Sequence, residues 1–576
     1  MLTLLLALAA AACGQTVSSG PSPSPPPGPT GPAYYVDNCV VVGSDSNKGT
    51  SPSAPWLTIH KVNTSTFNPG DSILFESTCT WREQLTVPSS GSAGSPITFG
   101  VYGTGAQPII SGADLLTSWA SEAPWYYAPV AAQPNQVFRD NQRLTLAASQ
   151  AALATGQWWW DSTNSRVYAY DDPSGHTMEA SQRDCAIYIP YGYSYVTVSN
   201  VETDKAQTYN FYANASYVVA SSIISKQAFQ VGIRFEKVSN GTISSCTVAY
   251  NGSDGIFFYD SPSLLIDQNI VYDNDQLTND VYSAGIHASD DDRSSTNFII
   301  QRNSVYSNGI GHSGWQIGAG IWPDTVGTGG IIRYNLVYSN NFAGIYLDAD
   351  NGETVFGNVV YNNGVAGSLS WGAVGIMANA DGNTTLTNTI LNNTAYGNYY
   401  GGIRVNGPSP EQVGGCTNNI VENNISTSTV SGPNLTAQNG CENPGTNGSG
   451  NVYAYNAFGP AASNFIEWGA GAYESTYTAW ETATGNCGTT GCSHSVQAAP
   501  AFANASAGQL WLTSGSPGID AGTNLGSPYN IGLLPGSSWP NSVLTGDQNS
   551  YGIGWEVGAY IFTGQTGSAA TPRASL

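Results

Sequence analysis

Charged residues are scarce in this chain of 576 residues. Asp, Glu, Lys and Arg make up 10% of it, against about 25% in an average soluble protein. Because long amphipathic helices and coiled coils need charged faces, both are disfavoured. The 16 Lys and Arg residues stand against 39 Asp and Glu residues, a net charge of −23. The chain therefore lacks the basic surface that nucleic acids require, and nucleic-acid binding is excluded.

Long apolar runs are missing as well. The marked apolar run at residues 2–12 is too short to span a bilayer, and it ends at Cys13. We interpret residues 1–13 as a secretory signal whose end, Ala11-Ala-Cys-Gly14, resembles a bacterial lipobox, and residues 14–33 as a Ser/Pro/Gly tether. We expect an extracytoplasmic protein, secreted or held at the bacterial outer membrane or cell surface by a lipid on Cys13. The alternative is an ordinary cleaved signal followed by a linker.

Cysteine is the third residue type whose count is informative. Nine cysteines less Cys13 leave eight, an even number suited to disulfides in an oxidising compartment. No CxxC pair is present, so zinc-ribbon and thioredoxin-type sites have no support. Plausible local pairs are Cys39 with Cys79, Cys416 with Cys441, and Cys487 with Cys492, which leaves Cys185 and Cys246.

What the sequence does contain is a repeat. A phrase that opens with Gly-Ile recurs every 23 to 35 residues, at Gly232, Gly255, Gly285, Gly320, Gly344, Gly375 and Gly402. This spacing is typical of a solenoid, and short β-type runs between Gly, Asn and Ser turns exclude a helical one. A second phrase carries a central asparagine, at Asn269, Asn303, Asn335 and Asn358. We expect these side chains to stack as a buried ladder at one bend, where they satisfy polar backbone groups.

With these two phrases the chain resembles the bacterial right-handed parallel β-helix proteins of the pectate-lyase-like superfamily, over most of residues 34–460. The segments "NPGDSILF" and "GSPITFGVYG" are similar to the first coils of secreted members. The resemblance implies an all-β fold, a right-handed parallel β-helix. Lyases, hydrolases and epimerases all use this scaffold, so it does not define the reaction.

The repeat and its flanks predict the domain organisation. An aromatic insert contains Gln157-Trp-Trp-Trp-Asp161 and Arg166-Val-Tyr-Ala-Tyr170, which together predict a hairpin. A terminal cap is needed because an uncovered β-helix end leaves open strand edges. The predicted units are an N-terminal cap with the first coils at 34–113, the β insert at 114–180, the β-helix with a substrate groove at 181–460 and a C-terminal cap region at 461–576. We expect the whole protein to be a monomer.

Strand alternation assigns the faces of each Gly-Ile phrase. Its second and fourth positions point inward, so the third and fifth point outward. The third column contains Arg234, Phe257, His287, Trp322, Tyr346, Met377 and Arg404, and the fifth contains Glu236, Tyr259, Ser289, Asp324, Asp348, Asn379 and Asn406. Aromatic rings beside carboxylates and amides suit sugars. We therefore predict a polysaccharide or oligosaccharide partner that contacts Arg234, Glu236, His287, Trp322, Tyr346, Asn379 and Arg404. The alternative is that flanking loops cover both columns.

Asp324 and Asp348 hold the same position in adjacent coils, so their backbones should lie about 4.8 Å apart. Two carboxylates that close do not both ionise easily, and a separation of about 5 to 5.5 Å is typical of retaining glycosidases. We predict a glycoside hydrolase that needs no cofactor, with Asp348 as the nucleophile and its partner as the general acid.

The phrase Gly344-Ile-Tyr-Leu-Asp348 is similar to the "GIWLD" phrase of a β-helix family of β-xylosidases. This resemblance implies that Asp348 is the nucleophile. That family's acid/base is a glutamate on the next coil, where this chain has Met377, Ala378 and Asn379, with Asp381 nearby. The general acid is therefore open between Asp324 and Asp381.

Two other functions remain open. A Ca²⁺-dependent polysaccharide lyase of pectate or alginate type could hold calcium at Asp290-Asp-Asp292 and Asp260. Its base would have to be Arg234, Arg293 or Arg404, because the last of five lysines is Lys237. The net charge also opposes a polyanionic substrate unless metal intervenes. A non-catalytic carbohydrate-binding surface protein is the other alternative.

Overall fold

A computed structural model describes residues 31–564, with the exception of 278–281, 291, 312–316, 367–370, 381–384, 408–414, 439–440, 442–447, 470 and 485–494. The predicted signal and almost all of the tether lie outside the described residues, as do Asp291, Asp381, Cys487 and Cys492. No helix in the described ranges is long and apolar enough to cross a membrane.

The chain before the insert forms one short helix and six strands. They are α1 (Ile59–Asn63), β1 (Ala33–Val36), β2 (Ser72–Glu76), β3 (Thr80–Trp81), β4 (Leu85–Thr86), β5 (Ile97–Tyr102) and β6 (Ile109–Ser111). Thr58 caps α1 by accepting a hydrogen bond from the Lys61 amide, and Ile59 and Val62 of this helix are buried in the main core.

The insert is a small, mostly antiparallel unit with its own core around Trp158, Val167 and Met178. Its strands are β7 (Ala113–Leu115), β8 (Ala120–Glu122), β9 (Trp125–Pro129), β10 (Val137–Arg139), β11 (Gln142–Arg143), β12 (Thr145–Leu146), β13 (Gln157–Asp161), β14 (Arg166–Ala169) and β15 (Met178–Ser181). The predicted hairpin is present, because β13 pairs antiparallel with β14.

The coils that follow contribute thirty strands. They are β16 (Cys185–Ile189), β17 (Val196–Ser199), β18 (Glu202–Asp204), β19 (Tyr209–Ala213), β20 (Val218–Ser221), β21 (Ile224–Lys226), β22 (Ile233–Glu236), β23 (Thr242–Ser244), β24 (Thr247–Ala249), β25 (Ile256–Tyr259), β26 (Leu265–Asp267), β27 (Ile270–Tyr272), β28 (Tyr282–Ser289), β29 (Ile299–Gln301), β30 (Ser304–Tyr306), β31 (Ile317–Asp324), β32 (Ile331–Arg333), β33 (Leu336–Tyr338), β34 (Ile345–Asp348), β35 (Thr354–Phe356), β36 (Val359–Tyr361), β37 (Val374–Asn379), β38 (Thr385–Leu386), β39 (Thr389–Leu391), β40 (Thr394–Tyr396), β41 (Gly401–Asn406), β42 (Gly415–Thr417), β43 (Ile420–Glu422), β44 (Ile425–Thr427) and β45 (Leu435–Gln438).

The last part of the chain contains one helix and eight further strands. They are α2 (Tyr477–Thr484), β46 (Gly448–Ser449), β47 (Val452–Ala454), β48 (Ile466–Gly469), β49 (Ala472–Glu474), β50 (Phe502–Asn504), β51 (Gln509–Leu512), β52 (Ile531–Leu533) and β53 (Thr545–Asp547).

Three long sheets run along the molecule, and most coils give one strand to each. Sheet 1 has the order β1-β2-β5-β17-β20-β23-β26-β29-β32-β35-β39-β43-β47, sheet 2 has β3-β6-β18-β21-β24-β27-β30-β33-β36-β40-β44, and sheet 3 has β4-β16-β19-β22-β25-β28-β31-β34-β37-β41-β45-β48-β49. Successive coils pair in parallel, for example Asp267 with Gln301 in sheet 1 and Ile286 with Ile321 in sheet 3. The predicted parallel β-helix is therefore confirmed.

The inward positions of the Gly-Ile phrase form the core of the coil. The second-position isoleucines are in register from strand to strand, and the column Ile256, Ile286, Ile321, Ile345, Ile376 and Ile403 is no more than 1% exposed. Burial of each such side chain contributes roughly 1.5 to 3 kcal/mol. The apolar positions of the phrase thus determine the register of sheet 3.

The predicted asparagine ladder occupies the bend between sheets 1 and 2. The Asn335 amide donates to Ile300 O (2.9 Å) and Asn358 Oδ1 (3.0 Å). Its own Oδ1 accepts from the backbone N–H (3.0 Å) and Nδ2 (2.9 Å) of Asn303. The residue directly before the ladder asparagine has a left-handed backbone in these coils, with φ of 54° at Arg302 and 55° at Tyr334. Further rungs continue the ladder at Asn393, Asn424 and Asn456.

A second ladder accounts for the glycine that opens each phrase. It contains Asn251, Asn274, Asn308, Asn340, Asn363 and Asn398, each buried and bonded to the next. A Cβ on Gly320 would lie 2.8 Å from the Asn340 amide nitrogen and 2.5 Å from Gly344 O. The repeated glycine is therefore required by close approach of the ladder to the backbone.

Beyond the coils, the chain first closes the C-terminal end and then returns along the side. Trp480 of α2 is fully buried and contacts Tyr453 of the last sheet 1 strand. Residues 500–564, which we call the side lobe, pack laterally on sheets 1 and 2 around Tyr334, Phe356 and Tyr396. The Trp539 indole, for instance, donates to Tyr334 O at 2.6 Å.

Two of the predicted disulfides are confirmed. Cys39 bonds to Cys79 and Cys416 bonds to Cys441. Cys185 and Cys246 are free and buried, and burial raises the pKa of each thiol to about 12. Both therefore act as small core side chains.

Candidate active site

The outward fifth column of sheet 3 is a continuous polar row. Backbone pairing aligns Ser289 with Asp324, Asp324 with Asp348, and Asp348 with Asn379. Asn406 continues the row on β41. Since neighbouring strands lie about 4.8 Å apart, the two carboxylates occupy adjacent rungs on one face, as the sequence predicts. Both are half-buried and reach solvent.

Hydrogen bonds from neighbouring side chains orient the two carboxylates. Thr325 Oγ1 donates to Asp324 Oδ1 at 2.8 Å, and Ser289 Oγ lies 3.5 Å from Asp324 Oδ2. Asn379 Nδ2 donates to Asp348 Oδ1 at 3.3 Å. The Oδ1 atom of Asn379 accepts a hydrogen bond from Asn406 Nδ2 at 2.8 Å. Asn379 can therefore orient Asp348, but its amide cannot donate a proton as an acid.

Two further carboxyl groups lie beneath this row, inside the turn after β34. Asp350 is fully buried, and its Oδ1 accepts from the Val326 amide at 2.8 Å. Burial first, then the charge of Glu353, raises the pKa of Asp350 well above its usual value, and Asp324 and Asp348 add to the effect. Burial likewise raises the pKa of Glu353. Of these four carboxyl groups, Asp324 and Asp348 are the two that solvent reaches.

The predicted exposure of the third column is wrong for its central members. His287 is 5% exposed, Trp322 and Tyr346 are 2%, and Met377 is 0%. The Trp322 ring stacks between His287 (4.5 Å) and Tyr346 (5.3 Å). Ala284, Ile317, Phe342, Ala343, Val374 and Trp371 pack against this cluster. The first residues of these strands and the segments before them thus cover the column, so its rings present no open face to a sugar.

The His287 ring is held in place by a neighbouring carboxylate and an aromatic ring. Its Nδ1 lies 3.0 Å from Asp254 Oδ1, and the same oxygen accepts from the Ala284 amide at 2.7 Å. The Phe257 ring contacts the imidazole edge to face at 5.1 Å. These contacts fix the ring below the surface, beside rather than within the polar row.

Arg234 and Glu236 lie three strands before Asp324 and pair with each other. The Arg234 guanidinium donates to Glu236 Oε2 at 2.8 Å and stacks on Phe257 and Tyr209, with centroid distances of 4.6 and 5.1 Å. Three strand spacings amount to roughly 14 Å. These two residues are therefore remote from the acid pair, whereas Asn379 adjoins it.

Arg404, the last member of the third column, lines a cavity of about 380 Å³. The column continues beyond it as Thr436 on β45 and Glu467 on β48. The lining residues are Trp371, Tyr400, Arg404, Ser431, Gly432, Pro433, Thr436, Asn464, Glu467 and Tyr473. Sequence reasoning found only Arg404 of this set. The signal for two others was present, because "NLTAQ" at 434–438 and "FIEWG" at 465–469 keep the strand alternation although the Gly-Ile opening is lost.

The residues proposed for calcium have other roles. Asp290 is 3% exposed, and its carboxylate accepts from the Asp260 amide (2.8 Å) and from the Ser295 amide (2.6 Å) and hydroxyl (2.9 Å). Ser294 Oγ donates to Asp260 at 2.7 Å. Arg293 donates to the carbonyls of Val326 and Ala349 at 3.2 and 2.8 Å. Asp290 thus binds backbone amides and a hydroxyl group, and Asp260 binds the Ser294 hydroxyl group.

Comparison with known proteins agrees with this architecture. The sequence model described as "Right handed beta helix region" matches residues 185–365. A solved structure titled "The complex structure of XylC with xylose" aligns with a TM-score of 0.54 at 16% identity, covering 68% of this chain and 75% of that one. A structure titled "Glycoside hydrolase" aligns with a TM-score of 0.51 at 11% identity, covering 68% and 96%. The protein is a right-handed parallel β-helix.

A curated relative matches a short part of the chain. It is the lacto-N-biosidase of Bifidobacterium longum subsp. longum, 36% identical over 112 residues. The match covers 18% of this chain and 7% of that protein. The chain thus spans far less than two thirds of this relative's length.

Proposed function

We propose that the protein is an extracytoplasmic carbohydrate-active enzyme, a glycoside hydrolase that acts through Asp324 and Asp348. The observation that carries the proposal is the direct backbone pairing of these two residues on the outward face of sheet 3. Named neighbours add support, since a lacto-N-biosidase, a glycoside hydrolase and a xylose complex are among them. Paired backbones on neighbouring strands lie about 4.8 Å apart, which is compatible with the roughly 5 to 5.5 Å between the carboxyl groups of retaining glycosidases.

In this mechanism Asp348 attacks the anomeric carbon of the sugar while Asp324 protonates the departing glycosidic oxygen. The sugar is then bound covalently to Asp348, and Asp324, now a carboxylate, takes a proton from water. That water displaces Asp348 and releases a sugar with its original anomeric configuration. Asn379 positions Asp348 through its hydrogen bond at 3.3 Å, and Thr325 positions Asp324 at 2.8 Å.

A screen of polysaccharides and oligosaccharides with analysis of released sugars tests the proposal. Wild-type protein should release sugars, Asp348→Asn should lose at least about a thousandfold in rate, and Asp184→Asn, at an exposed carboxylate elsewhere, should keep full activity. The first product should retain its anomeric configuration by proton NMR. An inverted product, or an unimpaired Asp348→Asn variant, contradicts the assignment.

A calcium-dependent lyase is the second candidate, because one scaffold can support several reactions. Elimination would create a double bond that absorbs in the ultraviolet, and a chelator would abolish it. Hydrolysis gives neither effect. The engagement of Asp290 and Arg293 with the backbone favours hydrolysis. If Asp348→Asn binds a sugar that the wild type also binds but never cleaves, the protein is a non-catalytic surface receptor.

A further inference from the structure

The cavity of about 380 Å³ lies on the same outer face of sheet 3 as the acid pair. Asp348 is on β34 and Arg404 is on β41, with β37 between them. Two strand spacings place their backbones about 10 Å apart along the coil axis. An extended oligosaccharide is long enough to bridge this distance. The cavity is therefore within reach of a chain cleaved at Asp348.

Three of the ten residues that line the cavity are aromatic, namely Trp371, Tyr400 and Tyr473. Trp371 packs its ring against Phe342 at 5.0 Å and Tyr346 at 6.4 Å, so it separates the covered third column from the open cavity. Tyr473, a second aromatic lining residue, is 52% exposed. Aromatic faces of this kind suit the apolar side of a sugar ring, and the volume falls within the range of roughly 300 to 1,000 Å³ that small-ligand sites occupy.

The lining of the cavity contains one positive side chain, Arg404, and one negative side chain, Glu467. Burial lowers the pKa of Arg404, and the negative charge of Glu467 opposes that change. Thr436 lies between these two residues in the column, and Tyr473 is hydrogen-bonded to Glu467. The lining contains one cation and one carboxylate, so it has no net charge to attract a uronate, and both side chains are of types that hydrogen-bond to hydroxyl groups.

We propose that this cavity binds a neutral sugar unit of the same chain that reaches Asp324 and Asp348. The inference rests on the proposed function. It makes the substrate a neutral oligosaccharide or polysaccharide of more than two units, bound along the coil axis toward the C-terminal end. Trp371 and Tyr473 hold the ring, and Arg404, Thr436 and Glu467 bind its hydroxyl groups.

Calorimetric titration of the inactive Asp348→Asn protein tests this inference. The probes are xylotetraose, cellotetraose and lacto-N-tetraose as neutral chains and tetragalacturonate as the acidic one. At least one neutral probe should bind more tightly than tetragalacturonate. Adding Tyr473→Ala or Glu467→Gln should weaken that binding about tenfold, the loss of roughly one stacking or hydrogen-bonding interaction. The matched controls Tyr191→Ala and Glu474→Gln, outside the cavity, should bind as the parent does.

The outcomes separate the cavity from the reaction. If the wild type cleaves a tetrasaccharide, and neither Tyr473→Ala nor Glu467→Gln changes the affinity for that tetrasaccharide, this inference fails and the proposed function stands. Tighter binding of tetragalacturonate, or no binding of any neutral probe, also overturns it. If cavity variants weaken binding but the wild type cleaves none of the probes or polysaccharides, the hydrolase assignment fails instead. Tyr473 is exposed and Glu467→Gln keeps the shape of the side chain, so neither substitution disturbs the packing of the core.

Discussion

At the scale of single residues, the two carboxylates differ in their partners. Asp324 accepts from a hydroxyl group at 2.8 Å, while Asp348 accepts from an amide at 3.3 Å. Asn379 cannot act as an acid, so proton transfer in the proposed mechanism belongs to Asp324 among the described residues of this row. The two aspartates should therefore fail in different ways when substituted.

Asp324→Asn removes the proposed proton donor and leaves the nucleophile in place. Its rate should fall by about 100- to 10,000-fold on a natural glycoside, whose leaving oxygen needs protonation. It should fall far less on an aryl glycoside with an acidic phenol as leaving group. Asp348→Asn should lose activity on both. Steady-state rates on the two substrate types measure this, and equal losses in Asp324→Asn would rule out its role as general acid.

At the scale of elements, the coil is held by ladders as well as by its core. Both hydrogens and both acceptor positions of the Asn335 side chain are used by neighbouring rungs. Buried polar groups that lose their partners cost about 1 to 3 kcal/mol each. A ladder residue is therefore worth more to stability than its small polar side chain suggests.

Asn335→Ala should lower the free energy of unfolding by about 2 to 5 kcal/mol. The substitution removes the hydrogen bonds that the Asn335 side chain makes with Asn303, Asn358 and Ile300. Denaturant titration followed by circular dichroism measures the change. Asn541→Ala, at an exposed position of the side lobe, is the matched control and should change stability by less than about 0.5 kcal/mol. Equal stability of the two variants would mean that the ladder does not support the coil.

The third column shows where element-level prediction stops. Alternation within one strand correctly points Trp322 and Tyr346 away from the coil interior, yet both are 2% exposed. Phe342 and Trp371, which cover them, lie in segments between strands that have no periodicity. Strand pairing depends on the neighbouring strand, which always lies at the same spacing. The burial of the outward side chains depends instead on loops whose lengths differ from coil to coil. The sequence therefore predicts direction, and packing decides exposure.

At the scale of the whole molecule, a side lobe is docked along the coil. Glu556 is 1% exposed in this lobe, and burial, with a further contribution from Asp520, raises its pKa to about 8. A carboxyl group whose pKa is higher in the folded state binds its proton more tightly there. Its favourable contribution is complete below the unfolded pKa of about 4.5 and is lost as pH rises to about 8.

The lobe should therefore become less stable between pH 5 and pH 8.5, by up to about 4 kcal/mol from Glu556. Glu556→Gln, which is neutral at every pH, should flatten this dependence and be more stable than the wild type at pH 8.5. Thermal unfolding at both pH values measures the effect, and Glu474→Gln is the control. Because the buried Asp350 and Glu353 shift in the same direction, part of the pH dependence should remain. A wild-type slope unchanged in Glu556→Gln would contradict the assignment.

The coil, its register and its first ladder can be predicted from the residues alone, because successive coils carry the same Gly-Ile and asparagine phrases. The pairing of Asp324 with Asp348 follows in the same way, since both hold one position of the Gly-Ile phrase. Three features are visible in the folded molecule and not in the repeat: which outward residues reach solvent, the cavity that brings Arg404 together with Glu467 and Tyr473, and the docking of the side lobe along the coil. Hydrogen-bonded pairing recurs between adjacent strands with a fixed spacing, whereas burial depends on contacts between segments that are far apart in the chain and share no repeat.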